Sequence, residues 1–186
     1  MIELLKDRLS TYSPSYQKPH YIREYLQHMI LQLLDEGGYF NQMAFVGGTA
    51  LRILHRINRY SEDLDFSLTV DSGSVDFPAL HTVLEKSLAQ SGLKATMTLK
   101  RSKTVAVIWI KFSTLLYELG LSPLKNQNLS IKIEIDQNPP EGYILDRTLI
   151  TNPLMMSIQH YDISSLCAGK CHALLARKYT KGRDFY

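Results

Sequence analysis

Two short groups of residues, a glycine pair and a pair of aspartates, carry the clearest chemical signal in this sequence. Gly47 and Gly48 follow a short apolar run, and Thr49 begins an amphipathic helical pattern as its possible N-cap. Glycine lets a ligand approach the backbone closely, and the free N–H groups of a helix N-terminus attract phosphate. Asp63 and Asp65 then alternate along a predicted strand, which places two carboxylates about 7 Å apart on one face. Because such a pair attracts a hard cation such as Mg²⁺, the combination predicts a nucleoside-triphosphate site.

The stretch over residues 62–68 has a simpler explanation when it is taken alone, because a strand can turn its acids towards solvent. The glycine pair that precedes it favours the site for phosphate and metal over this alternative. Ser61 stands directly before the strand, where its hydroxyl could bond a phosphate or cap a turn. The sequence does not separate these two roles.

A second group of charged residues lies in the alternating stretch IKIEID. Lys132, Glu134 and Asp136 share one face of this predicted strand, opposite three isoleucines. If the strand neighbours the aspartate pair, one of its acids could be a metal ligand or the general base towards an attacking hydroxyl. The alternative is a solvent-facing strand with an internal charge pair. Alternation cannot choose between Glu134 and Asp136, because both point the same way.

The last predicted helix is basic. Lys170, Ala173, Leu174 and Arg177 are spaced i, i+3, i+4 and i+7, so they lie on neighbouring helical positions. Lys170 could neutralise phosphate charge if the helix faces the acids. A solvated basic helix stabilised by its own dipole is the alternative, and on this helix alone it would be preferred.

Apolar periodicity indicates the elements that must position these residues. Residues 1–40 are predicted to be mainly helical, ending at the glycines 37 and 38. Strands are predicted over 43–46, 62–68 and 129–136, a hairpin over 95–100 and 104–112, and helices after residue 49, over 75–91 and over 163–179. Alternating rather than continuous apolar strands predict an α/β or α+β domain built on a mixed β-sheet flanked by helices.

Length and composition exclude several classes of protein. The 186 residues fit one domain, and 45% hydrophobic with 21% charged residues is ordinary for a globular fold. Apolar runs such as 105–110 are far shorter than the roughly 18 residues of a membrane span, and charges from Glu3 onward exclude a secretory signal. Two cysteines give no disulfide framework, so a cytoplasmic protein is expected. A net charge of +3 permits nucleic-acid binding without arguing for it.

Taken in order, the segments GGTALRILHRINRYSEDLDF, KIEIDQNPP and K-x-x-A-x-x-x-R…GRDFY resemble a known family. The chain looks like the AbiEii/AbiGii nucleotidyltransferase toxins of abortive-infection toxin–antitoxin pairs, within the DNA polymerase β-like nucleotidyltransferase superfamily. The resemblance runs from about Tyr21 to Tyr186. It implies one nucleotidyltransferase domain over 1–186, with an N-terminal helical segment over 1–40 and a catalytic core over 41–186.

The resemblance also implies roles for individual residues. Gly47, Gly48 and Thr49 would lie at the nucleotide phosphates, Asp63 and Asp65 would bind Mg²⁺, two ions being expected, and Lys170 would contact the triphosphate. The third acid would be Glu134 as first choice and Asp136 as second. Arg183 and Asp184 match the start of an RDxxD motif in which the first Asp is functionally important. The closing Asp would be residue 187, so the family's C-terminal helical part is expected to be absent.

The activity implied is transfer of a nucleoside monophosphate from an NTP to an acceptor hydroxyl. The acceptor is expected to be RNA such as tRNA. The protein would act in phage defence as a toxin that halts growth, and a separately encoded antitoxin would counter it. No membrane partner is expected. A small-molecule nucleotidyltransferase of the antibiotic-modifying type and a non-catalytic NTP-binding module are the alternatives.

Overall fold

The computed structural model describes residues 1–12, 15–71 and 74–176, and its centre is one seven-stranded mixed sheet. The strands are β1 (Met43–Val46), β2 (Leu64–Leu68), β3 (Ala95–Arg101), β4 (Val105–Phe112), β5 (Leu129–Asp136), β6 (Leu145–Ile150) and β7 (Met156–Tyr161). Their order in the sheet is β3-β4-β5-β2-β1-β7-β6. The pairs β2/β5 and β1/β7 are parallel, and the other neighbours are antiparallel. The predicted mixed sheet flanked by helices is confirmed.

Within the described ranges, six α-helices accompany the sheet. They are α1 (Ile2–Thr11), α2 (Lys18–Glu36), α3 (Gly47–His55), α4 (Phe77–Gln90), α5 (Leu115–Glu118) and α6 (Ile163–Ala176), with short 3₁₀ turns at Ser15–Gln17 and Tyr39–Asn41. Among the described residues, no helix is long and apolar enough to cross a membrane.

Alternation along the strands separates an apolar face of the sheet from a polar one. On β5 the three isoleucines Ile131, Ile133 and Ile135 are completely buried, whereas the residues between them are half-buried. The same pattern holds on β4, where every second residue is fully buried. Helices α2 and α4 pack against the apolar face, and their own apolar residues complete the core. The polar face therefore remains available for chemistry.

The structure corrects three details of the sequence-based prediction. Helix α3 begins at Gly47 with Val46 as its N-cap residue, so the prediction that Thr49 is the N-cap was wrong. Strands β6 and β7 were not predicted, because β6 is a mostly exposed edge strand without a clean alternation of burial. The helix predicted over 75–91 begins at Phe77, and the Asp76 side chain caps it by accepting from the Ala79 amide at 2.9 Å.

Candidate active site

The parallel pairing of β2 with β5 brings the acids of the two strands together. In this register Asp65 lies opposite Glu134, while Asp136 lies opposite Ser67, further along the sheet. The Oδ1 atom of Asp136 accepts a hydrogen bond from the Asn138 amide at 2.9 Å. Glu134 is therefore the acid of β5 that stands next to the aspartate pair.

Lys132 lies between the acids of the two strands. Its Nζ donates to Oε2 of Glu134 at 2.9 Å and lies 3.5 Å from Oδ2 of Asp63. Burial lowers the pKa of Lys132, but the hydrogen bond with Glu134 and the charge of Asp63 outweigh burial and raise it overall. Lys132 is therefore charged and acts as an internal counter-ion. The charge pair considered in the sequence is present within β5, and Lys132 also joins it to Asp63 directly before β2.

Asp65 is the most strongly perturbed acid of this cluster. Burial raises its pKa to about 6, and the charges of Asp63 and Glu134 add to the increase. The ammonium groups of Lys132 and Lys170 act in the opposite direction without cancelling it. Desolvation and neighbouring negative charges destabilise the ionised form of a carboxyl group, so a further cation nearby would stabilise that form.

Gly47 permits the close approach of α3 to Asp65. Its φ angle is +78°, and a Cβ atom at this position would lie 2.8 Å from the Cβ of Asp65 and closer still to its carboxylate. A Cβ on Gly48 would lie 3.1 Å from the Ser61 Oγ and 3.8 Å from the Lys170 Nζ. The turn thus needs glycine for both conformation and space, and it brings the first amides of a nine-residue helix to the acids.

Thr49 has a different position from the one expected of a phosphate-facing side chain. The residue is completely buried, and its hydroxyl donates to the backbone carbonyl of Asp63. This bond ties the first turn of α3 to the segment that carries the aspartate pair. The side chain of Thr49 therefore positions Asp63, and only its backbone amide remains for a ligand.

Of the remaining predicted residues, some lie at the site and the others lie outside the described residues. The Lys170 side chain extends from α6 to Gly48 and acts on Asp65, and Ser61 faces Gly48, so both reach the glycine turn. Arg177 and Asp184, together with Arg183, lie outside the described residues.

Sequence reasoning missed a group of residues on α2 that holds the loop before β2. The Nε2 of Gln27 donates to the carbonyls of Ser61 at 3.1 Å and Glu62 at 3.0 Å, although the side chain is almost completely buried. A glutamine among the apolar positions of α2 was the available signal, because a buried amide must find partners.

A second part of this support joins α3 to α2. Arg52 pairs with Glu24 at 2.7 Å, donates to the carbonyl of Ile57 at 2.8 Å, and lies over the Tyr60 ring at 4.5 Å. The Tyr60 hydroxyl lies 2.6 Å from that of Tyr12. These contacts fix the loop between α3 and β2.

The donor chemistry of the cluster fits a divalent cation. Asp63, Asp65 and Glu134 offer carboxylate oxygens, the ligands that Mg²⁺ prefers. Over the described ranges, no three histidine, cysteine, aspartate or glutamate side chains converge into a formed metal-binding group. In the arrangement described, Lys132 contributes the positive charge between Asp63 and Glu134.

Comparison with known proteins assigns this chain to a family. The sequence profile of the nucleotidyl transferase AbiEii toxin family, type IV toxin–antitoxin systems, matches residues 30–186. The chain belongs to the AbiEii family. The resemblance inferred from the motifs is therefore confirmed. No curated protein matches the chain.

Two solved structures share the fold of this AbiEii family member. One is an H. pylori protein solved as a candidate nucleotidyltransferase, with a TM-score of 0.54, 20% identity, and coverage of 88% of this chain and 64% of that one. The other is JHP933 from Helicobacter pylori, with a TM-score of 0.54, 20% identity, and coverage of 89% and 62%. The chain thus spans less than two thirds of the length of either protein.

Replacing Gly47 with alanine should disturb Asp65 as well as the backbone. Alanine at a positive φ costs about 1–2 kcal/mol, and at Gly47 its methyl group would also collide with the Asp65 side chain. Gly92 is a matched control, since its φ is also +78° but nothing lies within 4 Å of its Cβ position. Urea unfolding should show a larger loss for G47A than for G92A. Equal losses would contradict the contact between Gly47 and Asp65.

Replacing Asp65 with asparagine should stabilise the protein in buffers without divalent cations. The folded protein keeps the Asp65 proton to about pH 6, whereas the unfolded chain loses it near 3.8. The native state therefore binds more protons in this window, and wild-type stability should fall as the pH rises through it. D65N should remove this loss, which amounts to about 2–3 kcal/mol by about pH 7. Denaturant unfolding at several pH values tests this, with the exposed D7N as control; identical pH profiles for D65N and wild type would refute it.

Proposed function

We propose that this chain transfers a nucleoside monophosphate from an NTP to an acceptor hydroxyl and releases pyrophosphate. The observation that carries the proposal is the register of β2 and β5, which sets Glu134 beside Asp65. The glycine turn and Lys170 lie on the other side of Asp65. Membership of the AbiEii family supports the reaction class.

The β- and γ-phosphates of the donor would bind at the glycine turn. There the N-terminal amides of α3 offer hydrogen bonds and the positive end of the helix dipole. Lys170 reaches the same turn and would neutralise part of the phosphate charge. Ser61 faces Gly48 and is placed to donate its hydroxyl to a phosphate oxygen.

Asp63 and Asp65 would hold Mg²⁺, with two ions expected. When bound, the metal would neutralise the charge on the phosphates and fix their orientation. The pKa of Asp65 is raised, so a nearby cation would stabilise the ionised form of this carboxyl group. Thr49 and Gln27 would hold the backbone of this segment in place through their bonds to the Asp63, Ser61 and Glu62 carbonyls.

Glu134 would act as the general base and accept the proton of the attacking hydroxyl. The oxygen then forms its bond to the α-phosphorus while the bond to pyrophosphate breaks, and the proton stays on Glu134 until it is released to solvent. Lys132 would steer Glu134 through the 2.9 Å hydrogen bond between them. Asp136 is the weaker candidate because it lies opposite Ser67 and bonds the Asn138 amide.

We propose RNA, such as tRNA, as the acceptor. The proposed biological role is that of a toxin that arrests growth in phage defence. A type IV toxin–antitoxin family supports a cognate antitoxin as partner. We place the protein in the cytoplasm, where NTPs and RNA are available.

The reaction is tested by incubating the purified protein with each labelled NTP, Mg²⁺ and total RNA. Label should enter RNA with release of pyrophosphate, and both should disappear in EDTA and in the double variant D63N/D65N. Incorporation into a small acceptor instead of RNA would indicate a small-molecule enzyme. Binding of NTP without pyrophosphate release would indicate a non-catalytic module.

The choice of general base is tested with a matched pair of variants. E134Q should lower kcat by about 10²- to 10⁴-fold, because general-base catalysis contributes about this much. D136N removes a charge from the same strand face and should stay within a few-fold of wild type. If D136N lost more kcat than E134Q, the role of general base would belong to Asp136.

A further inference from the structure

The polar face of the sheet continues past Glu134 onto β4 and β3. In the register of β4 and β5, Glu134 lies opposite Val107, and Lys132 lies opposite Trp109. Trp109 in turn lies opposite Thr98 on β3. Since residues opposite each other in a sheet share a face, the indole stands on the same face as the acids.

Trp109 is the only tryptophan of the chain and is 37% exposed. In the described part of the chain, more than a third of this large amphipathic side chain is open to solvent, so its ring can stack against a flat ligand. Four of its neighbours on this face are exposed and polar or basic, namely Thr96, Thr98, Lys100 and Lys111, whereas Val107 beside it is half-buried. Trp109 and these four neighbours are called the tryptophan face below.

The tryptophan face lies where the acceptor must enter. The glycine turn and Lys170 would hold the leaving pyrophosphate on the β1 side of Asp65. In-line displacement at phosphorus requires the attacking oxygen to approach from the opposite side. In this sheet the opposite side of Asp65 is β5, followed by β4 and β3. Neighbouring strands are about 4.8 Å apart, so the backbone at Trp109 is about 10 Å from β2.

We propose that the tryptophan face binds the single-stranded 3′ end of the acceptor RNA, with a nucleobase stacked on Trp109. Lys100 and Lys111 would pair with the backbone phosphates, and the terminal hydroxyl would reach Glu134. An aromatic ring with flanking cations is the combination that binds single-stranded nucleic acid, because every base offers a π face and every linkage a negative charge. The inference rests on the proposed function and adds the acceptor subsite to it.

Intrinsic fluorescence tests the stacking directly, because all tryptophan emission comes from Trp109. The wild-type protein is titrated with a short single-stranded oligoribonucleotide that ends in a 3′-deoxynucleotide and therefore cannot accept a nucleotide. Stacking of a base should quench the emission, and an oligonucleotide with abasic sugars at its 3′ end should quench it much less. Absent quenching, or equal quenching by the abasic oligonucleotide, would overturn the proposal. Quenching by NTP and Mg²⁺ alone would assign the indole to the donor and would also overturn it.

Kinetics of variants separate this inference from the proposed function. W109A should raise the KM for the RNA acceptor by about 5- to 150-fold, the equivalent of 1–3 kcal/mol per stacked base, and W109F should recover part of the loss. L149A is the control, since it removes an exposed apolar side chain from β6 at the opposite edge of the sheet. If wild type modifies RNA but W109A keeps the wild-type KM, the subsite is wrong and the function stands. In that case, binding of a protein partner would be the better explanation of the exposed indole.

If wild type transfers nucleotide to no acceptor, the proposed function fails. The fluorescence titration still decides whether the tryptophan face binds single-stranded RNA.

Discussion

The parallel pairing of β2 with β5 is the constraint on which the site depends. This register sets the Asp65 and Glu134 backbones side by side and directs both carboxylates to one face, with Asp63 close by. Like charges at this spacing repel each other, and burial of Asp65 increases the cost. The chain meets the cost with ammonium groups, Lys132 between Asp63 and Glu134 and Lys170 from α6. Because these two lysines neutralise the negative charge of the acids only in part, the site attracts further cations.

The same demand explains the surroundings of the acids. Gly47 lets α3 begin against the Asp65 side chain, and the Thr49 hydroxyl holds the Asp63 carbonyl. From α2, Gln27 holds the two carbonyls before Asp63. From α3, Arg52 holds the loop that leads to them through the Ile57 carbonyl. Two helices thus restrain one short stretch of backbone. Such restraint limits the movement by which repelling carboxylates would otherwise separate, and it keeps them preorganised for phosphate chemistry.

Much of this arrangement could be predicted from the sequence, because it depends on local rules. Alternation indicated that Asp63 and Asp65 lie close together, and the glycine pair indicated a tight backbone turn at the start of a helix. Other features depend on contacts that local rules do not contain. That Glu134 rather than Asp136 lies opposite Asp65 depends on the register of two strands that are distant in the chain. The roles of Gln27 and of the buried Thr49 hydroxyl depend on carbonyl groups elsewhere in the chain, and the edge strand β6 lacks a clear periodicity of burial.

Binding of Mn²⁺ to wild type and K132M, followed by electron paramagnetic resonance, tests the central claim that Lys132 compensates the negative charge of the acids around Asp65. If Lys132 neutralises Asp63 and Glu134, its replacement by methionine leaves a stronger negative field, and Mn²⁺ should bind several-fold more tightly than to wild type. K94M removes a lysine that pairs with Glu118 at 3.3 Å elsewhere on the surface, and it should leave the affinity unchanged. Weaker or unchanged Mn²⁺ binding by K132M would contradict the account.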